Sequence, residues 1–410
     1  MRWASRVLAV LATVSFLIYP TVRFANLRPV QQERADDLAV MQSMPSPGPA
    51  RKLETPARSC VPQNSVYFLK TPKCASTTLS RSFTAYGVKH GLTFALPVRC
   101  GPIPISPKIL PPEYHGSPDG RYHMVVSHTQ FNKEGAEQVM KESAKYVATI
   151  REPASRFESN WYYGNYEKKL NMTLTAFLKA SRYTRGHKSH FNKIADYFGV
   201  KDPRDDVPEG EVLSKTKWLN ERFDLVMVTE RFDESVVLLK HLMCWNTEDV
   251  AYIRAHVASP EYKAELSEAQ KDRLRQLNRQ DVLLYKFFRE IFEEKVKAFG
   301  EERMQREVEE LRQANARLIN DCRDELTEKR RTVKTWKVTN NSNACKMSPM
   351  NDIDLHSQLR ERQRIWVSSN LTYDLLTWTF TKILNGVVEA EMPLNHGILQ
   401  PRFPTEGESD

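Results

Sequence analysis

The chain has 410 residues, of which 40% are hydrophobic, so it contains enough apolar material for one large core or two modest ones. Its formal net charge of +9 favours an anionic ligand or surface as a partner, although many secreted proteins share this balance. A zinc site built from the six cysteines is excluded by their spacing, because no two of them lie within four residues of each other.

The N-terminal segment contains an uncharged apolar run at residues 7–22. The run is slightly shorter than the roughly 20 residues that span a bilayer, and its end at Tyr19-Pro20 carries no small-residue cleavage pattern. We therefore expect an uncleaved type II signal anchor, with residues 1–6 as a cytoplasmic tail, and favour it over a cleaved signal peptide. The Pro- and Ser-rich stretch that follows predicts a flexible stem at residues 23–59.

From Ser65 onward, short apolar runs alternate with helical patterns. The runs are rich in Val, Tyr and Phe, end in polar residues and predict buried strands: "SVYFLK", "YHMVVSH", "KYVATIR" and "FDLVMVTE". The helical patterns are "STTLSRSFTAYG", "NKEGAEQVMKES", "PASRFESNWYYGNYEKKL" and "FDESVVLLKHLMCW". This alternation predicts an α/β fold with a central parallel sheet flanked by helices, in which ligands bind at the carboxyl ends of the strands.

The C-terminal part begins with a long amphipathic segment at residues 281–321, which has one glycine and no proline. We expect a long helical segment that bends at Gly300 and packs along its own domain. A coiled-coil arm of a homodimer is the alternative, although the apolar spacing loses its heptad pattern after Phe299. The catalytic domain is expected to span residues 60–390, followed by a disordered tail at residues 391–410.

The cysteines and sequons indicate the secretory pathway. Cys322 and Cys345 bracket a basic loop and are expected to form a disulfide, whereas Cys74 is expected to stay free. Three N-x-[ST] sequons predict glycosylation on the luminal side of the membrane: Asn171, Asn340 and Asn370.

The stretch "FLKTPKCASTTL" places lysines and hydroxyls between a strand and a helix N-terminus, where free N–H groups and the positive end of the helix dipole favour an anion. It contains no glycine, which disfavours a Walker A loop for ATP or GTP. A polar turn with solvated lysines is the alternative interpretation.

The stretch "YVATIREPASRFES" places Arg151 at a strand end, Pro153 in a first helical turn and Ser159 about two turns into the helix. Arginine binds phosphate bidentately, and a helical serine can contact the same group. Anion-binding groups on neighbouring strand ends predict a ligand with phosphates at two places.

These two stretches resemble the 5′-phosphosulfate loop and the 3′-phosphate site of sulfotransferases that use 3′-phosphoadenosine 5′-phosphosulfate (PAPS). Three later stretches are similar to the galactose 3-O-sulfotransferase family, which includes galactosylceramide sulfotransferase: "TERFDESVVLLKHLMCW", "LNRQDVLLYKFF" and "VKAFGEERMQREVEELRQAN". The resemblance covers roughly residues 65–320. It implies a P-loop-like sulfotransferase fold, PAPS as the sulfuryl donor and no metal.

The resemblance also implies roles for individual residues. Lys73 corresponds to the lysine that contacts the phosphosulfate and stabilises charge on the leaving phosphate. The residues expected to bind the donor are Lys70, Thr71, Lys73, Ser76, Thr77, Thr78, Arg151 and Ser159. For Lys70, a solvated lysine at a strand end is an equal alternative.

The acceptor hydroxyl needs a general base, and His128 follows a strand between the two donor motifs. We expect His128 to be this base, against the alternative of an ordinary surface or core histidine. His123 lies at the opposite end of that strand, and His187 and His190 are weaker rivals that could contact the sugar. In "SNWYYGNY" the aromatic rings either stack on the sugar or pack on the sheet, and Trp161 could belong to the core.

One departure concerns Pro72, where members of the family commonly have histidine. Proline at this position resembles the corresponding loop of uronosyl 2-O-sulfotransferases. The identity of the acceptor is therefore left open, whereas the donor site is expected to be retained. The basic segment at residues 328–337 could serve a glycosaminoglycan groove or be a solvated loop.

The function expected from these features is a Golgi-membrane sulfotransferase that acts on the 3-hydroxyl of a terminal β-galactose. The acceptor would be a galactosylceramide-like glycolipid or a glycoprotein glycan, and nucleic acid is not expected as a partner. The alternatives are a glycosaminoglycan uronosyl 2-O-sulfotransferase and, from another class, a membrane-tethered scaffold that oligomerises through its long helix.

Overall fold

The computed structural model describes the following residues: 60–97, 121–180, 183, 190–200, 207–255, 257–258, 266–330, 333–338, 345, 350 and 352–363. Several predictions made from the sequence fall outside this set, namely the anchor at residues 7–22, the stem, the tail at residues 391–410, and His187, Asn340 and Asn370. Among the helices described, none is long and apolar enough to span a bilayer.

A four-stranded parallel sheet forms the centre of the fold, with the strand order β2-β1-β3-β4. Its strands are β1 Val66–Leu69, β2 Met124–Val125, β3 Lys145–Ile150 and β4 Leu225–Val228. Each strand coincides with one of the predicted apolar runs, and most of their residues are buried, as a sheet covered on both faces requires. The predicted α/β fold with a central parallel sheet is confirmed.

Thirteen α-helices surround or extend this sheet within the described residues. They are α1 Ser76–Lys89, α2 Lys133–Val139, α3 Pro153–Tyr163, α4 Tyr166–Leu170, α5 Leu174–Leu178, α6 Lys193–Tyr197, α7 Glu209–Asn220, α8 Phe232–Met243, α9 Thr247–Val250, α10 Glu268–Leu277, α11 Arg279–Phe299, α12 Glu301–Cys322 and α13 Asp352–Arg362. Local sequence explains where several of them begin. Pro153 occupies the first turn of α3, and a capping box of Ser267 and Gln270 starts α10.

The predicted long helical segment consists of α11 and α12, which are separated at Gly300. Gly300 has a φ of 92°, a conformation that side-chain-bearing residues rarely adopt. α11 packs against α7 and β4, and α12 packs against α8. This segment therefore packs along its own domain, as the loss of the heptad pattern predicts.

A small antiparallel sheet with the order β5-β7-β6 contains residues 328–330 and 333–337 of the basic segment. Its strands are β5 Val257–Ala258, β6 Arg323–Arg330 and β7 Val333–Val338, for which the backbone alone is described. The expectation of a loop is corrected here, because β-branched and aromatic residues (Val333, Thr335, Trp336 and Val338) favour a strand over a loop despite the charges.

The described residues contain two disulfides. Cys322 pairs with Cys345, as expected, and Cys74 is a buried free thiol, also as expected. A second disulfide joins Cys60 to Cys244 across 184 residues of sequence, a pairing that spacing alone does not indicate.

Candidate active site

The loop between β1 and α1 has the backbone of an anion-binding turn. Lys73 and Ala75 have φ values of 64° and 55°, which place two non-glycine residues in the left-handed region. Such strain is typical of ligand-binding loops. Ala75 occupies the N-cap of α1 and has no side-chain acceptor, so it leaves the first N–H groups of the helix uncapped. The loop therefore fits an anion at the helix N-terminus.

The hydroxyls that follow this loop stabilise its shape. Ser76 donates a 2.6 Å hydrogen bond to the carbonyl oxygen of Thr71, and the Thr71 hydroxyl donates to the carbonyl oxygen of Thr149 on β3. The Thr78 hydroxyl accepts a backbone hydrogen bond at 3.1 Å, and Thr77 is half-buried. Contacts of these four hydroxyls with a donor remain predictions.

Lys73 and Arg151 lie close together at the ends of the neighbouring strands β1 and β3. The Arg151 guanidinium donates a 3.2 Å hydrogen bond to the carbonyl oxygen of Lys73. The Lys73 amine lies 3.4 Å from the centroid of the Tyr163 ring in a cation–π contact. Burial, followed by the Arg151 charge, lowers the pKa of Lys73 to about 8. Two nearby cations repel each other, and bound anionic groups would relieve that repulsion.

Helix α3 divides its polar and aromatic residues between the site and the core. Ser159 is half-buried on this helix, which starts two residues after Arg151, so both members of the predicted 3′-phosphate pair belong to one strand–helix unit. Trp161 is buried against Phe157 and Phe177 and belongs to the core. Tyr163 is 39% exposed and lies beneath Lys73, which makes it the ring of this helix at the site.

Lys70 is neither solvated nor open. Its side chain is buried, and its amine contacts both carboxylate oxygens of Asp352, at 2.8 and 2.9 Å. Asp352 also binds Arg81 at 3.1 Å. Burial lowers the pKa of Lys70 to about 8, while Lys70 and Arg81 hold the pKa of Asp352 well below its usual range. Asp352 was missed from the sequence because it lies 282 residues from Lys70, and no local pattern connects them.

His128 has the geometry of a general base. Its Nδ1 lies 2.7 Å from the carbonyl oxygen of Lys70. Because a carbonyl oxygen can only accept, Nδ1 must carry the hydrogen, and the neutral ring then has its lone pair on Nε2. Burial and then the charge of Lys70 lower the pKa of His128 to about 4. The imidazole is therefore neutral near neutral pH, the state in which it can accept a proton.

Of the rival histidines considered from the sequence, the structure describes His123 and His190. His123 lies before β2 and contacts the Thr93 hydroxyl at 2.9 Å, at the amino end of the sheet. The His190 ring packs against Tyr166 with 4.6 Å between centroids. Asn171, the sequon within the described residues, is exposed at the end of α4, where an oligosaccharide could be attached.

A buried ion pair behind the site was also missed from the sequence. Arg156 of α3 and Asp281 of α11 have fully buried side chains, with 3.8 Å between Nε and Oδ2. Arg156 also donates to the carbonyl oxygen of His190 at 3.0 Å, and Asp281 accepts from the backbone N–H of Ala195 at 2.8 Å. Burial raises the pKa of Asp281 to about 6. These contacts fix α3, and with it Tyr163, against the rest of the domain.

No group of three His, Cys, Asp or Glu side chains in the described part of the chain is arranged to hold a metal ion. The open N-terminus of α1, with Lys73 and Arg151 adjacent, matches a ligand that carries phosphate groups. Together with the neutral histidine after β2, this site and the parallel sheet define an α/β protein with a candidate site for an anionic, phosphorylated ligand.

Comparison with known proteins identifies the family. The galactose-3-O-sulfotransferase family model matches residues 4–347, and the chain belongs to this family. Over 281 residues it is 32% identical to galactosylceramide sulfotransferase of Mus musculus. The aligned residues cover 65% of this chain and 66% of that protein. The corresponding Bos taurus protein is 33% identical over 298 residues, covering 68% of this chain and 70% of that protein.

A second group of relatives is equally similar. Galactose-3-O-sulfotransferase 3 of Mus musculus is 33% identical over 277 residues, which cover 63% of each protein. The chain thus spans about two thirds of the length of the relatives that it matches. No solved structure gives a significant match to the chain.

Proposed function

We propose that this protein transfers a sulfuryl group from PAPS to the 3-hydroxyl of a terminal β-galactose. The acceptor would be a galactosylceramide-like glycolipid or a glycoprotein glycan. The proposal is supported by membership of the galactose-3-O-sulfotransferase family and by the names of the relatives. It is carried by one observation in the site: a neutral imidazole with a bare Nε2 adjoins the lysine loop at the end of β1.

Each residue of the site has a task in this reaction, for which PAPS supplies the sulfuryl group and leaves as the bisphosphate. Lys73 and the uncapped N–H groups of α1 stabilise negative charge as it develops on the departing phosphate. Arg151 and Ser159 bind the 3′-phosphate and so orient the nucleotide. His128 accepts the acceptor's hydroxyl proton at Nε2 while its Nδ1–H stays bonded to the Lys70 carbonyl.

A panel of acceptors tests the proposal. The full chain would be given sulfur-labelled PAPS together with galactosylceramide, a β-galactose-terminated oligosaccharide and desulfated heparan. Label on either galactose acceptor supports the proposal, whereas label on heparan alone would favour uronosyl 2-O-transfer and make Pro72 the informative residue. Lys73→Ala is the matched control for transfer that depends on the site.

Binding of the desulfated donor separates an enzyme from a scaffold. 3′-Phosphoadenosine 5′-phosphate should raise the unfolding temperature of the chain, since a ligand that binds the native state stabilises it. A membrane-tethered scaffold should show no such shift. Absence of binding would therefore remove the basis of the proposal.

We further propose that the protein is a single-pass type II protein of the Golgi membrane with its catalytic domain in the lumen. The apolar run at residues 7–22, the exposed sequon at Asn171 and the disulfides support this location. Digestion with peptide N-glycosidase should reduce the apparent mass, and Asn171→Gln should remove part of that change. A chain whose mass is insensitive to the glycosidase would contradict the luminal orientation.

A further inference from the structure

Helix α13 begins at Asp352, after the last residue that the family model matches, and yet it contacts the ends of two central strands. Asp352 binds Lys70, which directly follows β1. His356, one turn further along α13, has its Nε2 2.7 Å from the hydroxyl of Ser127, the residue before His128. The helix therefore reaches both sides of the proposed base.

Additional contacts fix α13 in this place. Leu355 and Leu359 are buried in the central core. Gln363, next to the end of the helix, accepts a hydrogen bond from the backbone N–H of Phe94 and donates one to its carbonyl oxygen. An acid on a helix held by both apolar and polar contacts has a defined position relative to the sheet.

The ion pair between Asp352 and Lys70 links α13 directly to the loop that follows β1. The Lys70 side chain is 1% exposed, and both carboxylate oxygens contact its amine. Loss of one partner of such a pair leaves a buried charge without compensation. Asp352 therefore holds the side chain of the residue whose backbone carbonyl oxygen contacts Nδ1 of His128.

The groups around His128 come from three elements. Lys70 and Lys73, from the segment between β1 and α1, disfavour the imidazolium, and Asp352 of α13 favours it. From α6, the Tyr197 ring packs edge-on with 5.9 Å between centroids. Of the three charged groups, Asp352 is the negative one, so its removal takes away the charge that favours the imidazolium.

We propose that Asp352 is a positioning residue for sulfuryl transfer: its carboxylate holds Lys70 and thereby keeps His128 in the tautomer with a bare Nε2. Asp352 acts through Lys70 and His128 and makes no contact with the reacting atoms. This inference rests on the proposed function, because it assigns a part in that reaction to a residue outside the family match.

Asp352→Asn in the full chain tests the proposal, with Glu361→Gln, an exposed acid on the same helix, as the matched control. We expect kcat/KM for the galactose acceptor to fall about 10-fold or more, because a less basic imidazole is a poorer proton acceptor. The acid limb of the pH profile should move to lower pH. Affinity for 3′-phosphoadenosine 5′-phosphate should stay within about 3-fold of the parent or tighten, since a negative charge near an anion site is lost.

Two further measurements separate positioning from a structural role. Asp352→Glu should restore the acid limb and most of the activity, whereas Glu361→Gln should leave both unchanged. Activity that falls equally at every pH, together with weaker nucleotide binding, would reduce Asp352 to a structural residue and overturn the proposal. An increase in activity on Asp352→Asn would also overturn it, because the carboxylate would then be blocking Lys70.

Titration of His128 by NMR, with selectively labelled histidine in the full chain, provides a readout that does not require activity. We expect Nδ1 to be protonated in the neutral ring and the pKa of His128 to fall further in Asp352→Asn. An unchanged titration would overturn the inference even if the parent is active. A parent that sulfates no galactose, but shows the expected titration shift, would instead contradict the proposed function. If Asp352→Asn does not fold, Asp352→Glu becomes the test. An acid limb of its pH profile that is displaced from that of the parent would overturn the proposal.

Discussion

The two lysines of the β1–α1 loop have different partners, although the sequence presents them as a pair. Lys70 is buried and paired with Asp352, whereas Lys73 lies on the ring of Tyr163 beside Arg151. A cation held by a ring can be drawn to a phosphate more easily than one held by a carboxylate, because the ring attraction is the weaker of the two. Lys73 is therefore the lysine of the pair that is better placed to bind an anion.

Binding of the bisphosphate nucleotide should depend on pH through Lys73. The pKa of Lys73 is about 8 in the free protein, so its amine increasingly loses its proton as pH rises through this value. Nucleotide binding must then be accompanied by uptake of a proton. We expect the dissociation constant to increase between about pH 7 and about pH 9.5, by up to about tenfold per pH unit above the pKa. Calorimetric titration at several pH values would measure this.

The variant Lys73→Ala should bind about 10-fold or more weakly at neutral pH and lose most of this pH dependence. Lys70→Met serves as the control, because the pKa of Lys70 is also about 8. A Lys73→Ala protein that keeps the parent's pH dependence would assign it to Lys70 and contradict the division of roles between the two lysines.

Sequence reasoning located the site residues that follow directly from local patterns. Lys73, Arg151 and His128 each come after a strand that could be recognised from its own apolar run, so their common edge of the sheet could be predicted. Asp352 and Asp281 could not be predicted, because each is paired with a residue far away in the sequence. The sequence alone does not distinguish a charged residue that is solvated from one that is buried against a distant partner.

Among the helices, two features depend on particular residues. One is the buried ion pair between α3 and α11, and the other is the break between α11 and α12 at Gly300. The first fixes the helix that carries Ser159 and Tyr163, and at the second the long segment passes from α11 to α12, which packs against α8. The break was visible in the sequence as a lone glycine, whereas the ion pair was not.

The buried pair is expected to be strongly coupled. Arg156→Met should lower the free energy of unfolding by about 3–5 kcal/mol, because Asp281 would keep a buried charge without a partner. Arg156→Met with Asp281→Asn should be less destabilised than Arg156→Met alone, since Asn can still accept the hydrogen bond from Ala195. Denaturant unfolding of the parent, the two single variants and the double variant measures the coupling. Additive effects would show that the two charges do not interact.

The break at Gly300 should be intolerant of a side chain for conformational reasons alone. A Cβ at this position would meet no atom within 4 Å, but the φ of 92° is unfavourable for alanine. Gly300→Ala should therefore lower the free energy of unfolding by about 1–3 kcal/mol.

Gly210 in α7 is the matched control, because a Cβ there also meets no atom within 4 Å and the backbone is helical. Gly210→Ala should raise the free energy of unfolding by about 0.4–1 kcal/mol. If both alanine variants had the same effect in thermal or denaturant unfolding, the break would not depend on the backbone conformation of Gly300.

At the scale of the whole molecule, the parallel sheet gathers residues from separate motifs at one edge. The strand–helix alternation predicted this arrangement, and the family match agrees with it. The long-range contacts were not predicted. The Cys60–Cys244 disulfide spans 184 residues, and Asp352 of α13 contacts Lys70, which lies 282 residues earlier in the sequence. Such contacts depend on how the complete chain closes, which no local pattern records.

The central claim is that this site transfers a sulfuryl group to galactose with His128 as the base. The most direct measurement is the rate and linkage of labelled sulfate on galactosylceramide and on a β-galactose-terminated oligosaccharide, for the parent and for His128→Ala. We expect 3-O-sulfated galactose from the parent on at least one acceptor, and a rate about 10²–10⁴-fold lower in His128→Ala with nucleotide binding retained. Sulfate at another position, or an unchanged rate in His128→Ala, would contradict this account.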